Sequence, residues 1–550
     1  MVNVQFNKRL HTLSLASLLL IAGLSKVVAA GNDSGITIEH YAIEGNSLFP
    51  EQEVQAVVSP YLGAQQHFTD IQKALEALEE YYRSKGHGEV LVTIPEQELS
   101  NGTVRLQVIE PFLKSITVEY ANPELEDYFP QANILGSLPD LKLGQPLHTR
   151  EVSRDTQLAN ENPAKQTEVV LRTTDAPGEL DAGVKVNGVP SRKAFATVDN
   201  TGTDQTGEYR MGFGLQHANL WGLDHVATFN YMTPIDRPDH VNLFSGSYRI
   251  PLYGLGDSID LMAAKSDVGN STTGTVAGPL QFSGSGNIYG ANYNLLLPRW
   301  GEYTHRVVAG YSYREYNNTC SVGTFGSQAC GPAGNDITLM PFSLTYSGQF
   351  TQQVQSVSFY LTESHNVPGM THGNQSDFNL VRPGGLGVGG APANYTLFKG
   401  GFNYTALLID DWQMRLGGNG QFSANPLLYV EQFSLAGNAM VRGFWEREAT
   451  RDMGYVLNTE IYTPDISQLA GVGDSLRALA FFDYGKGRNN ALAGETQQSL
   501  ALSSVGLGMR FGYKQSFQLK LDGAYVLEGA TDHLPGDMRA HLAVYMPYSF

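Results

Sequence analysis

The sequence predicts a transmembrane antiparallel β-barrel of about sixteen strands, preceded by two small α+β domains. Three observations carry that reading. The 550-residue chain holds 60 Gly, 28 Tyr and 25 Phe but only 16% charged residues, a composition that suits many turns and half-buried strands. From about residue 188 onward apolar residues recur with period two. In SVGLGMRFGYK, Val505, Leu507, Met509, Phe511 and Tyr513 alternate with Gly506, Gly508, Arg510, Gly512 and Lys514, so each strand has one apolar and one polar or glycine face. Beyond residue 30 no apolar run reaches the roughly 18 residues of a spanning helix. A membrane-embedded chain must then close its strands into a barrel, which leaves no unpaired edge in lipid.

Residues 1–30 read as a secretory signal peptide. Lys8 and Arg9 precede the apolar LASLLLIAGL (15–24), and Val28-Ala29-Ala30 supplies the small residues of a cleavage site after Ala30; ten apolar residues are too few for an anchor. The first α+β domain spans 36–112. ITIEHYAIEGN (36–46) reads as a strand, PEQEVQAVVSPYLG (50–63) as a short helix and FTDIQKALEALEEYYRSKG (68–86) as an amphipathic helix. Thr69 and Gln72 suggest a capping box, Ile71, Leu75, Leu78 and Tyr82 share one face, and Gly86 marks the stop. Strands EVLVTIPE (89–96) and TVRLQVIE (103–110) follow. The same strand, helix, helix, strand, strand order recurs more weakly over 113–187, which predicts a second copy of the unit.

The barrel, 188–550, has 363 residues. Sixteen strands of about 10 residues would use about 160 of them, and counts from about fourteen to eighteen fit nearly as well. No strong helix is apparent there. A soluble sandwich also alternates, but export, aromatic strand ends and many alternating segments favour a barrel in outer-membrane lipid. The final strand, HLAVYMPYSF, sets Leu542, Val544, Met546, Tyr548 and Phe550 on one face. Cys320 and Cys330 share a Gly/Ser/Asn-rich stretch, TCSVGTFGSQACGPAGND, that an oxidising compartment is expected to close into a disulfide loop; two free thiols are the alternative. No histidine lies near them to complete a metal site. The net charge of −18 repels polyanions, and no Lys/Arg run offsets it, so no nucleic-acid partner is expected.

Within the barrel, MVRGFW (440–445) places one arginine and one glycine among large apolar residues. In SLRALAFFDYGKG the apolar face is Leu476, Ala478, Ala480, Phe482 and Tyr484, which turns Arg477, Phe481, Asp483 and Gly485 to the lumen. Asp483 is then a lumen carboxylate able to take a bidentate guanidinium from a loop carrying Arg442.

Val441, Arg442, Gly443 and Phe444, with Phe481, Asp483 and Gly485 in an F-x-D-x-G pattern, resemble the paired signature of two-partner secretion outer-membrane transporters, the haemolysin/adhesin secretion-activation family. VDNTGTDQTGEYRMGFGLQHANLWGLDH (198–225) is similar to that family's first two barrel strands, and a terminal Phe550 resembles the signal read by the barrel-assembly machinery. The resemblance covers nearly the whole chain past residue 30. It implies two polypeptide-transport-associated domains in the periplasm, a sixteen-stranded barrel, an Arg442–Asp483 contact at the tip of an inward-folded loop, and an exoprotein with an N-terminal secretion domain as partner. One departure stands out: many members carry a plug helix and a linker ahead of the first domain, whereas here Ile36 opens that domain soon after the expected mature start at Gly31, so a plug helix is expected to be missing.

The expected function is export of an unfolded exoprotein to the cell surface. A barrel insertase and a passive porin are the rivals. No enzyme and no cofactor is expected: there is no phosphate-binding loop, and the GDSL at 473–476 is far from the N-terminus, with no D-x-x-H after it to complete a triad around Ser475.

Overall fold

The computed structural model describes residues 35–98, 101–203, 207–238, 241–266, 271–275, 278–282, 285–317, 335–384, 390–492 and 498–550. The expected signal peptide and the pair Cys320 and Cys330 lie outside these residues. The chain divides into two compact units that part after Val189.

The first unit holds the two α+β domains. In the first, the last strand, Thr103–Ile109, lies in the middle of the sheet, parallel to His40–Glu44 and antiparallel to Leu91–Thr93. The helices Glu51–Val58 and Phe68–Ser84 cover one face of it. They bury Val54, Ile71, Leu78 and Tyr82 against Tyr41, Val104 and Leu106, each large side chain adding about 1.5–3 kcal/mol of apolar burial. The second domain repeats this order: Glu179–Gly188 is central, parallel to Phe112–Tyr120 and antiparallel to Lys165–Thr173. The helix Thr149–Ala159 packs against Lys165–Thr173 of its sheet, and a further helix, Gln131–Gly136, was absent from the sequence reading.

Three local expectations need correction. The capping box of Phe68–Ser84 is made by His67 and Asp70, not Thr69 and Gln72: the Asp70 carboxylate accepts the His67 N–H at 3.0 Å. Extended backbone at His67 starts the helix at Phe68, which puts Thr69 inside the first turn, where it cannot cap. The strand expected over 36–46 is broken at Glu39, because Ile36–Ile38 pairs with Gly63–Gln66 while His40–Glu44 joins the main sheet. The strand expected over 89–96 keeps only Leu91–Thr93.

The second unit is a closed antiparallel barrel of 16 strands. We number them β1 (Arg192–Asp199), β2 (Arg210–Leu220), β3 (His225–Pro234), β4 (Leu243–Leu252), β5 (Asp257–Ser266), β6 (Gly286–Leu296), β7 (Tyr303–Tyr316), β8 (Ile337–Leu339 continued by Pro341–Thr351), β9 (Gln355–Asn366), β10 (Thr396–Leu407), β11 (Gln413–Phe422), β12 (Met453–Tyr462), β13 (Ser475–Arg488), β14 (Ser499–Tyr513), β15 (Phe517–Glu528) and β16 (Met538–Ser549). Each pairs with the next, and β16 returns to β1 from Ala543↔Asp199 to Ser549↔Lys193. Phe550 sits at this closure, its N–H donating to Arg192 O at 2.9 Å.

Most connections at the Arg192 end are short, whereas long segments join β9 to β10 and β11 to β12 at the opposite mouth. Outward side chains such as Phe213, Phe229, Leu507 and Tyr525 are exposed, as a lipid-facing wall requires. Trp221, Trp300 and Trp412 stand on turns at the Arg192 end, the position of an interfacial aromatic belt. Two short helices were not legible beforehand: Gln375–Val381 in the β9–β10 connection and Ser467–Ala470 in the β12–β13 connection.

Candidate functional site

The β11–β12 connection folds back into the barrel as a hairpin, begun by the pairing of Phe433–Ser434 with Thr450–Arg451. Its apolar residues Leu435, Ala436, Val441 and Phe444 pack on Val456, Leu502 and Val526, so a hydrophobic core sits inside the lumen. That core explains why a loop of this length keeps one position.

Arg442 is 3% exposed and Asp483 0% exposed. The guanidinium meets the carboxylate with both prongs, Nε to Oδ2 at 2.7 Å and Nη2 to Oδ1 at 2.8 Å, while the Arg442 N–H donates to Oδ2 at 3.2 Å. Nη1 then reaches Glu460 Oε1 at 2.8 Å and Asp522 Oδ2 at 3.5 Å. Arg415 contacts Glu460 and Arg510 contacts Asp522, so three guanidinium groups face three carboxylates and no net charge is left buried. Burying charges takes back most of what their attraction returns, so this network fixes position more than it adds stability.

Every letter of the two motifs has a physical task. The Phe481 ring lies under the guanidinium, 3.5 Å from Cζ, a cation–π contact. Gly506 makes room for that ring, since a Cβ there would be 2.3 Å from Phe481 Cζ. Gly485 makes room for Val441, whose Cγ2 would be 2.9 Å from an added Cβ. Gly443 has φ +100°, a left-handed conformation that side chains resist, and its N–H donates to His541 Nε2 at 2.8 Å. Phe444 is fully buried and meets the His533 ring edge-on at 5.9 Å.

Glu460, Asp522, His541 and Asn458 were not singled out from sequence. Asn458 opposes Asp483 in register and donates to it at 2.9 Å, and to Met440 O at 2.8 Å. The signal that finds them is parity: each is a polar residue at an inward position of a strand at or near β13. Ser475 opens β13 as an exposed residue. Phe550 stacks on Tyr548 at 6.0 Å. Among the described residues no group of three or more His, Cys, Asp or Glu could hold a metal; the three carboxylates here are occupied by guanidinium groups.

The profile of the haemolysin secretion/activation protein family ShlB/FhaC/HecB matches residues 184–511. The chain belongs to this family. A polypeptide-transport-associated (POTRA) domain profile of the ShlB type also matches 36–111. The chain is similar to the haem/haemopexin transporter protein HuxB of Haemophilus influenzae, 22% identical over 510 residues that cover 88% of this chain and 81% of that one. The outer membrane transporter CdiB of Dickeya dadantii is 20% identical over 439 residues, covering 77% and 72%. Among solved structures, CdiB from Escherichia coli superposes with a TM-score of 0.72 at 18% identity, over 100% of this chain and 99% of that chain, a likeness of fold. As a two-partner secretion transporter the protein is an outer-membrane export channel whose N-terminal domains face the periplasm. Members of its family are transporters that pair with secreted exoproteins.

Proposed function

We propose that this transporter takes an unfolded exoprotein by its N-terminal secretion domain and threads it through the lumen once the 433–449 loop has moved. The single observation that carries the reading is the two-pronged contact of Arg442 with Asp483 inside the barrel. A loop seated by side-chain packing and charged contacts, with no strand of the wall of its own, can be released and reseated without unfolding the wall that holds it. Val441, Gly443 and Phe444 seat the loop, and Phe481, Asp483 and Gly485 form its receiver.

The cargo first adds a strand to an open sheet edge of an N-terminal domain, where main-chain hydrogen bonds give affinity and side-chain pockets give selectivity. Phe112–Tyr120 and Lys165–Thr173 are the edges of the second domain's sheet. No nucleotide drives the step, and cargo folding outside supplies direction. The protein has no catalytic role of its own, and the GDSL around Ser475 is a chance match. Phe550 serves the barrel-assembly machinery during insertion into outer-membrane lipid, after cleavage behind Ala30.

The test is secretion of the exoprotein encoded beside this chain, by cells carrying it intact or as Arg442→Ala, with barrel abundance measured in parallel. Lost secretion from an assembled barrel is the expected result. Full secretion by the variant would overturn the latch. No secretion by the intact chain, with a general loss of outer-membrane proteins on its depletion, would point to an insertase instead.

A further inference from the structure

Trp445, Glu446 and Glu448 follow the VRGF segment and take no part in the contacts of Arg442. Each has a partner elsewhere. The Trp445 ring lies under the Arg539 guanidinium of β16, 3.4 Å from Cζ. Arg539 also donates from Nη2 to Asn200 O at 3.3 Å and stands 3.7 Å from Glu208. Asn200, just past β1, ties that strand to β16 with its own side chain: Nδ2 donates to Ala540 O and Oδ1 accepts the Leu542 N–H, both at 2.8 Å.

Glu446 accepts the Asn438 N–H at 2.7 Å. Gly437, at φ +135°, gives its carboxylate room, since a Cβ there would lie 2.3 Å from Glu446 Oε2. The same carboxylate lies in the field of Arg210, a buried residue that opens β2 opposite Asp199 of β1. Glu448 Oε1 accepts the N–H groups of His533 at 2.9 Å and Asp532 at 3.2 Å. Its Oε2 accepts the Trp445 N–H at 3.0 Å and lies 2.6 Å from His533 Nδ1.

The loop contacts of these three residues fall on β2, β16 and the β15–β16 connection, with Asn200 past β1 reached through Arg539, whereas Arg442 contacts β12, β13 and β15. We infer that Trp445, Glu446 and Glu448 form a second anchor of the loop, set across the strand pair that closes the barrel, and that the loop leaves the lumen only when both anchors release. The inference rests on the export reading above. Its three residues are positioning residues: they hold the loop to β16 and the connection before it, which Arg539 and Asn200 tie to β1, so spreading of that pair pulls Arg539 from Trp445 before it reaches Asp483.

The test reads amide hydrogen exchange across 433–449 in the full-length protein in lipid nanodiscs, for the intact chain, Arg442→Ala, the pair Trp445→Ala and Glu448→Ala, and all three together. Release of one anchor should raise exchange by about tenfold or less, and release of both by about a hundredfold or more. Trp445→Phe, which keeps an aromatic face, should restore the intact rate, and Trp445→Leu, which keeps only bulk, should not. Exchange in Arg442→Ala as fast as in the triple variant would overturn the inference, as would no effect of the Trp445 and Glu448 pair on either background. Should the triple variant fail to assemble, Asp483→Ala with Arg539→Gln and His533→Phe removes the partners of both anchors from the wall side and is read against the same two outcomes. Secretion is scored separately, so a failure of the exporter reading would not be mistaken for a failure of the second anchor.

Discussion

A guanidinium that spends two prongs on one carboxylate and a third nitrogen on another has no lysine equivalent. Arg442→Lys keeps the charge but can reach only one of Asp483 and Glu460 at good geometry, so secretion is expected to fall as far as in Arg442→Ala; secretion near the intact level would show that charge alone suffices. The glycine of the receiver gives a second check. In Gly485→Ala the added Cβ lies 2.9 Å from Val441 Cγ2 and 3.1 Å from Val456 Cγ2, an overpacking of about 1–3 kcal/mol. Exchange of the loop amides should rise in Gly485→Ala and return on adding Val441→Ala. At this scale the sequence was informative wherever a residue's parity could be read. Phe481, Asp483 and Gly485 share one face of β13 and Asp522 lies on the polar face of β15, but which inward side chains meet across the lumen depends on strand order and stagger, so Glu460 and His541 were not legible.

Helices and strands of the N-terminal unit follow their local patterns where the pattern is long. Phe68–Ser84 carries four apolar positions on one face and was legible, whereas Gln131–Gly136, six residues after a proline, has too little periodicity to register. The helix Thr149–Ala159 carries an oddity of its own. Asp155 is 0% exposed; its Oδ2 accepts the Asp140 N–H at 3.0 Å, while Oδ1 is buried without a hydrogen-bond partner. Burial, the largest cause, pushes the carboxyl up to about 7. A raised folded value means the neutral acid is favoured by folding. The stability it contributes is full below the ordinary carboxylate range and is lost as pH rises through about 7. Between pH 5 and pH 8 the second domain should therefore lose about 2–3 kcal/mol from this group. Asp155→Asn should flatten that slope and unfold at a higher temperature at pH 8, as followed by circular dichroism of the N-terminal unit. An unchanged slope in the variant would assign the pH dependence elsewhere.

For the molecule as a whole, the question is what keeps solutes from crossing a resting barrel. The loop inside the lumen is one obstruction, and the mouth opposite Arg192 offers another. There Phe378 of the helix Gln375–Val381 packs with Ala391, Ala393, Tyr395, Leu427 and Leu428 on Tyr316, Ile337 and Leu339. Two long connections and the rim thus share one core. Its polar hub is Asp452, 0% exposed, which accepts from Arg382 Nη1 at 2.8 Å, the Leu427 N–H at 3.0 Å, Gln432 Nε2 at 2.9 Å and the Asn490 N–H at 2.7 Å. Removing that carboxylate takes the charged partner from the half-buried Arg382, which keeps Leu427 O and Asn490 O, and an acceptor from the Leu427 and Asn490 N–H groups, a loss of about 2–3 kcal/mol. Asp452→Ala is expected to raise ion conductance in planar bilayers without any cargo, and to do so with the Arg442–Asp483 contact intact. Asp452→Asn, which keeps one acceptor oxygen but drops the charge opposite Arg382, should fall between the two. If both variants conduct no more than the intact protein, the outer core is a scaffold for the rim and resting closure belongs to the inner loop alone; if conductance rises in Asp452→Ala but not in Arg442→Ala, the barrel is sealed chiefly at its mouth and the inner latch serves export rather than closure.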